Sequence, residues 1–171
     1  MSELTPELLN TTTWKIPNPL AIVGSHHDQE FNGMTASWIS QFNMDPVIIG
    51  VGVDNSSVTY KLISQSGYFS LNFFSNENTK VFVKFSKPAK HTEGYLNEEP
   101  ITLTSNNVPV FNNSVLWFEL KLIRLENLGT HTLFLGEVID CHLEDGEFKV
   151  AEMSDTRMKY GGVPRGGHNK N

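Results

Sequence analysis

Phe31-Asn32-Gly33-Met34-Thr35-Ala36-Ser37-Trp38-Ile39-Ser40-Gln41-Phe42 is the stretch on which the fold turns. Thr35, Trp38 and Ile39 favour a strand, yet Gly33, Ala36, Ser37 and Ser40 interleave them with little bulk and several hydrogen-bonding groups. Read as one strand, it offers amide N–H, C=O and small hydroxyl groups to a flat ring laid along it, with Trp38 as a wall at one edge. Asn32-Gly33 alone has the form of a two-residue hairpin turn. That reading is set aside, because His27-Asp28-Gln29-Glu30 already provides a turn and the β pattern resumes after Gly33.

On the amino-terminal side, Thr5-Pro6-Glu7-Leu8-Leu9 supplies a cap, a proline for the first helical position and an acidic first turn, so a short helix is expected in the lead-in 1–16. Leu20 to Ser25 reads as a first strand. On the other side, Asp45-Pro46 opens Val47-Ile48-Ile49-Gly50-Val51-Gly52-Val53, apolar on both faces and too short for most helices. A strand buried on both sides is expected, with Gly50 and Gly52 marking a close approach of backbone or ligand. Asp54-Asn55-Ser56-Ser57 then gives turn residues and caps, and Val58, Leu62 and Ile63 share one helical face until Gly67. A strand, a polar turn and a helix start can hold a phosphate through free N–H groups and the hydroxyls of Ser56, Ser57 and Thr59. Plain capping accounts for one serine equally well.

Phe69, Leu71 and Phe73 alternate with Ser70 and Asn72, a strand with one apolar face. Asn72 is either solvated or an amide able to pair with the edge of a pyrimidine-like ring. Asn76 to Ser86 reads as a helix with Val81, Phe82 and Phe85 inward and Lys80, Lys84 and Lys87 outward, either a solvated face or an anion-facing cluster with Lys84 nearest a phosphate. Pro88 to Ser114 is a polar excursion over a surface or a site mouth. Two long strands follow around Asn127-Leu128-Gly129, one carrying Leu116, Phe118, Leu120 and Leu122, the other Leu133, Leu135, Ile139, Cys141 and Leu143. Asp145-Gly146 closes a turn before a last strand at Phe148-Lys149-Val150. Many strands and few helices predict an all-β chain closed as an antiparallel barrel, because closure removes exposed edges.

The length of 171 residues suits one domain over 1–171, with 161–171 as a tail. That glycine-rich end is expected to be a flexible terminus or to dock on the protein or a partner subunit. A net charge of −6 argues against nucleic acid and anionic membrane surfaces as partners, so an anionic cofactor needs a local positive site. Cys141 has no cysteine to pair with and is expected to be a buried structural thiol. His26-His27-Asp28 is the one sequence-local metal candidate, and adjacent histidines on a strand point to opposite faces, so no metal site is expected. No leader or membrane span is expected, which makes the cytoplasm the default location.

Asn32 to Trp38, Asp45-Pro46, Ser56-Ser57-Val58-Thr59, Phe69-Ser70-Leu71-Asn72 and Gly129 to Val138, in this order, resemble the flavin reductase-like family of FMN-binding split barrels, in its flavoredoxin-like branch. The resemblance spans roughly Pro17 to Tyr160. It implies an antiparallel Greek-key split β-barrel, a noncovalent FMN and electrons from NAD(P)H or a protein donor. It further implies that Met34, Thr35, Ala36, Ser37, Trp38 and Ser40 line the flavin, that Ser57, Thr59 and Lys84 hold its phosphate, and that Asn72 faces its edge. His131 matches the histidine of a Gly-Asp-His motif near the nicotinamide, but Thr130 stands where that motif has an acid. The activity implied is an FMN reductase passing hydride from nicotinamide to flavin for a monooxygenase or other redox partner. An electron carrier with tightly held FMN is the alternative, and a binding module without redox work a third reading. A homodimer is implied too, with Trp14, Trp38, Trp117 and Phe134 as large groups for outer faces.

Overall fold

Thr5 Oγ1 accepts the Leu8 N–H at 3.1 Å and Pro6 follows it, so helix α1 (Pro6–Thr13) starts at the cap the sequence offers. In this computed structural model, which describes residues 4–160 and 163–164, the chain then enters β1 (Ala21–His27) and β2 (Glu30–Ala36). These form a hairpin turning at Asp28, whose φ is 52°. Asn32 and Gly33 lie inside that ladder, opposite Ser25 and Gly24, and make no turn. Next come β3 (Ile39–Met44) and β4 (Val47–Asp54), helix α2 (Val58–Ser66), β5 (Tyr68–Phe73) and helix α3 (Lys80–Lys84). Four short strands, β6 (His91–Thr92), β7 (Tyr95–Leu96), β8 (Glu99–Leu103) and β9 (Pro109–Phe111), make a small sheet. The long hairpin of β10 (Leu116–Asn127) and β11 (His131–Leu143) follows, and the pair β12 (Lys159–Tyr160) and β13 (Val163–Pro164) comes last.

The main sheet has the order β2-β1-β5-β10-β11-β4-β3, antiparallel at every step. Its two end strands are consecutive in the chain. Ala36 and Ile39 are three Cα steps apart, at most about 11 Å, so the sheet has to curl until its edges nearly meet. The result is an antiparallel split β-barrel, parted where Ser37 and Trp38 cross from β2 to β3. The stretch read above as one strand is therefore two strands belonging to opposite ends of the sheet.

Two apolar clusters hold the sheet from its two sides. Val51, Val53, Ile63, Phe69, Leu71, Leu120 and Phe134 fill the barrel. Leu20, Ile22, Phe74, Phe82, Phe85, Leu96 and Phe111 fill the space between the barrel wall and the small sheet. The second cluster changes the reading of Pro88 to Ser114, which is a cover over β5 and not a bare excursion. Under that cover Ser70 and Asn72 are fully buried. Ser70 donates to the Pro109 carbonyl at 2.6 Å, and Asn72 Oδ1 accepts the Phe111 N–H at 3.0 Å, so both satisfy backbone groups of β9.

Five further expectations need correction. The helix over Asn76 to Ser86 is only Lys80–Lys84, because Asn76 N–H bonds to the Lys149 carbonyl and Ser75 gathers Glu77 and Asn78 into a turn. Val47 to Val53 is buried on one face only. On its other face Gly50 and Gly52 admit the chain's own rings: a Cβ at Gly50 would lie 2.6 Å from Phe42 and one at Gly52 would lie 3.3 Å from Trp38. Cys141 is exposed, since β4 pairs with β11 only as far as Glu137 and the rest of β11 has β10 alone beside it. Phe148 to Val150 forms no strand beyond a single bridge from Val150 to Ser75. Trp14 and Phe134, expected on outer faces, are core residues. The tail Gly161 to His168 lies outside the described residues apart from Val163 and Pro164. No helix among the described residues is long and apolar enough to cross a membrane.

Candidate functional site

The crossing from β2 to β3 leaves Ser37 and Trp38 in neither ladder, and the Trp38 carbonyl accepts the Gly52 N–H at 2.9 Å. That bond pins the crossing over β4 and stands the indole upright, 46% exposed. Its ring meets His131 at 4.7 Å between centroids in an edge arrangement. The two rings divide a pair of adjoining clefts. The first, about 210 Å³, is lined by Met34, Thr35, Ala36, Ser37 and Gly52, and also by Leu20, Ser86, Met153 and Met158. The second, about 510 Å³, lies over Ser40, Phe42, Gly50, Leu128 and Leu133. Among the described residues, Asp54 and His131 are the ionisable side chains lining the first cleft, and His131 is the one lining the second.

His131 begins β11 directly across the ladder from Asp54, the last residue of β4. Asn55 fixes this corner. Its N–H donates to the Thr130 carbonyl at 3.1 Å and its Nδ2 to the Gly129 carbonyl at 2.7 Å, while its Oδ1 accepts the buried Thr132 hydroxyl at 2.8 Å. Gly129, at φ 113°, allows the turn to close over it. Asp54 Oδ1 accepts the Ser56 N–H at 2.8 Å and the Ser56 hydroxyl at 2.6 Å. The hydroxyl of Ser56, then its N–H, hold the Asp54 carboxyl below the ordinary carboxylate range, and the charge of His131 adds to this. Thr130 Oγ1 lies 3.0 Å from His131 Nδ1.

The sequence candidates divide into two groups. Met34, Thr35, Ala36, Ser37, Trp38 and His131 line the first cleft, and Ser40 lines the second. Thr35 also donates its hydroxyl to the Phe82 carbonyl at 2.7 Å. The others stand elsewhere. Asn72 cannot face a ligand, being buried with its Nδ2 on the Ile22 carbonyl and on Ser70. Thr59 is likewise buried and accepts from Asn32 at 2.9 Å, a bond that ties α2 to β2. Ser57 caps α2 by accepting the Tyr60 N–H and donates to the Asp54 carbonyl. Lys84 points away to an ion pair of 2.5 Å with Glu99.

In the sequence Asp54 and Asn55 have the form of turn residues and caps, Ser86 that of a helix end, and nothing local marks Met153 or Met158 as cleft residues. The pairing of the Gly129 to His131 turn with the end of the Val47–Val53 strand is the signal that would have found Asp54. The methionines sit in a segment whose only local mark is a reciprocal pair of cap bonds between Glu152 and Asp155.

The structure is thus a curled antiparallel barrel with a cleft at a strand crossing, bordered by the Trp38 indole and the His131 imidazole. Residues 13–162 match the family described as flavin reductase like domain, and the chain belongs to that family of oxidoreductases. It is 30% identical to the ferric-chelate reductase (NAD(P)H) of Archaeoglobus fulgidus over 156 residues, which cover 89% of this chain and 91% of that one. It is 22% identical to a flavin reductase of Pseudomonas putida, covering 84% of this chain and 83% of that one. Among solved structures, the NADH:FAD oxidoreductase of Streptomyces globisporus C-1027 superposes with a TM-score of 0.77 at 21% identity, over 94% of this chain and 97% of that one. An FMN-binding protein of Thermus thermophilus superposes with a TM-score of 0.67 at 23% identity, over 76% and 74%. At these identities the structures establish the shared fold.

Proposed function

We propose that the chain is an FMN-dependent NAD(P)H oxidoreductase that holds the flavin ring on the Met34 to Trp38 floor and receives the nicotinamide beside His131. The observation that carries this reading is the cleft at the β2–β3 crossing, where the small residues Ala36, Ser37 and Gly52 line the space beside the Trp38 and His131 rings. The group fits there. A cleft of about 210 Å³ falls below the roughly 300–1,000 Å³ of drug-sized ligand sites, so it suits the ring while the ribityl and phosphate parts extend beyond it.

Bound flavin supplies hydride-accepting chemistry that no side chain of this protein has. The chain's own part is to bind, orient and exclude water. Ala36 and Ser37 let the ring approach the backbone, Met34, Met153 and Met158 cover apolar edge, and Trp38 limits entry from the second cleft. His131 borders both clefts and is the group placed to meet a nucleotide entering through the second. In this reading the partner protein would be a monooxygenase or another redox protein.

A second reading, an electron carrier that retains FMN, is favoured by the edge contact of Trp38 on His131, which narrows the passage between the clefts. An absorbance spectrum recorded before and after anaerobic NADH and NADPH separates the two. Bleaching of bound FMN by either nucleotide supports the reductase, and reduction by dithionite alone supports the carrier. A homodimer belongs to the same reading. Phe42 at 57% and Leu128 at 71% exposure line the second cleft, and Ile139 and Leu143 lie bare on the one-sided end of β11. Light scattering is expected to return twice the chain mass, and a monomer at all concentrations removes this part.

A further inference from the structure

We infer that Trp38 is a specificity-determining residue: its indole closes the way from the second cleft to the first, so a nicotinamide reaches the flavin only by displacing it, while a small reductant has no ring to bring through. This rests on the reading of the cleft just given. Among the described residues, Trp38, Gly52 and His131 are the ones that line both clefts, so they form the boundary between them. Gly52 brings no side chain to that boundary. A Cβ there would stand 3.3 Å from the indole ring and 3.4 Å from the Trp38 Cβ, so the indole lies against the β4 backbone and the wall above it is made of two rings. Two carbon surfaces touch at about 3.5–4.0 Å, so a flat ring passing between the indole and the imidazole would need them about 7–8 Å apart. Their centroids are 4.7 Å apart in an edge arrangement, and the gap is shut.

One ring has to move for the clefts to join, and the surroundings choose which. His131 is half-buried in the ladder of β4 and β11, its Nδ1 lies 3.0 Å from the Thr130 hydroxyl, and three Asn55 bonds fix its turn. Trp38 belongs to neither ladder, and its indole is 46% exposed. The Trp38 carbonyl holds the crossing on the Gly52 N–H, so the indole turns about its own side-chain bonds while the backbone keeps its place. A nucleotide that needs the turned indole binds with an affinity lowered in proportion to the fraction of molecules that hold it so. Dithionite carries no such requirement.

Two measurements test the gate. In FMN-saturated protein under anaerobic stopped flow, Trp38→Ala is expected to lower the NADH or NADPH concentration for half-maximal bleaching about tenfold. The limiting rate and the rate with dithionite are expected to move less than about twofold. An unchanged half-maximal concentration, or an equal acceleration by dithionite, overturns the inference. The second measurement keeps Trp38 in place, so it stands even if the alanine variant fails to fold. A chain labelled with fluorotryptophan has three fluorine NMR signals, and that of Trp38 is the one missing from Trp38→Phe. With FMN bound, saturating NAD+ or NADP+, which has no hydride to give, is expected to shift the Trp38 signal and leave those of Trp14 and Trp117. A Trp38 signal that stays put overturns the gate. If nucleotide bleaches Trp38→Ala but not the unaltered chain, the reductase reading fails and the gate stands; if it bleaches neither, the gate is overturned as well. A chain that takes up no FMN removes the reading of the cleft and the gate together.

Discussion

The strip from Met34 to Ser40 and the turn from Asp54 to Thr59 both look in the sequence like grips for a cofactor, and the barrel treats them differently. The strip straddles the place where the sheet splits, so Ser37 and Trp38 lie in neither ladder and line the first cleft. The turn sits where a strand hands over to a helix, and its hydroxyls are consumed locally: Ser56 on Asp54, Ser57 on Tyr60 and Thr59 on Asn32. Residues at the strand crossing line a cleft, whereas hydroxyls at a helix start tend to be taken by the fold.

The sharpest way to break this contrast is to fill the floor. Gly52→Leu places a Cβ 3.3 Å from the Trp38 ring, so the rest of the side chain extends into the clefts. FMN affinity is expected to fall about a hundredfold, about 2.7 kcal/mol, read by fluorescence titration. An unchanged affinity would move the flavin away from this crossing. The converse applies to a residue the fold has consumed. Asn72→Leu strands the Phe111 N–H and the Ile22 carbonyl, and denaturant unfolding is expected to show a loss of about 2 kcal/mol with FMN affinity unaltered. Ser57→Ala removes the α2 cap and should cost about 1 kcal/mol by the same assay, again without effect on FMN.

The smallest effect concerns acid. Asp54 titrates lower in the folded chain than in the unfolded one, so its stabilisation is present above the unfolded value and is lost as pH falls through the folded value. Asp54→Asn should therefore lose less stability than the unaltered chain as pH falls from neutral through the carboxylate range. Parallel unfolding curves across that range would show that the Ser56 bonds carry no net preference for the anion.

Much of the barrel was legible because its signals are local. Thr5-Pro6, Ser57 with Gly67, and the Asn127 to Gly129 turn sit where caps and a hairpin were expected. The expectations that failed concern pairings distant in sequence. Asn72 looks like a polar-face residue until the Pro88 to Ser114 segment is laid over it, and Cys141 looks buried until β4 is seen to end opposite Glu137. Asp54 belongs with these, since it reaches the cleft beside a ladder neighbour 77 positions away in the chain. The floor itself was readable because alternating small residues beside a tryptophan leave the same imprint whichever strand they pair with.

A crystal structure of the protein grown with FMN tests the central claim most directly. The account predicts the isoalloxazine ring lying on Ala36 and Ser37 with Trp38 and His131 at its borders. A ring bound against the Ser56 to Thr59 turn, or density for FMN nowhere near the β2–β3 crossing, would contradict it.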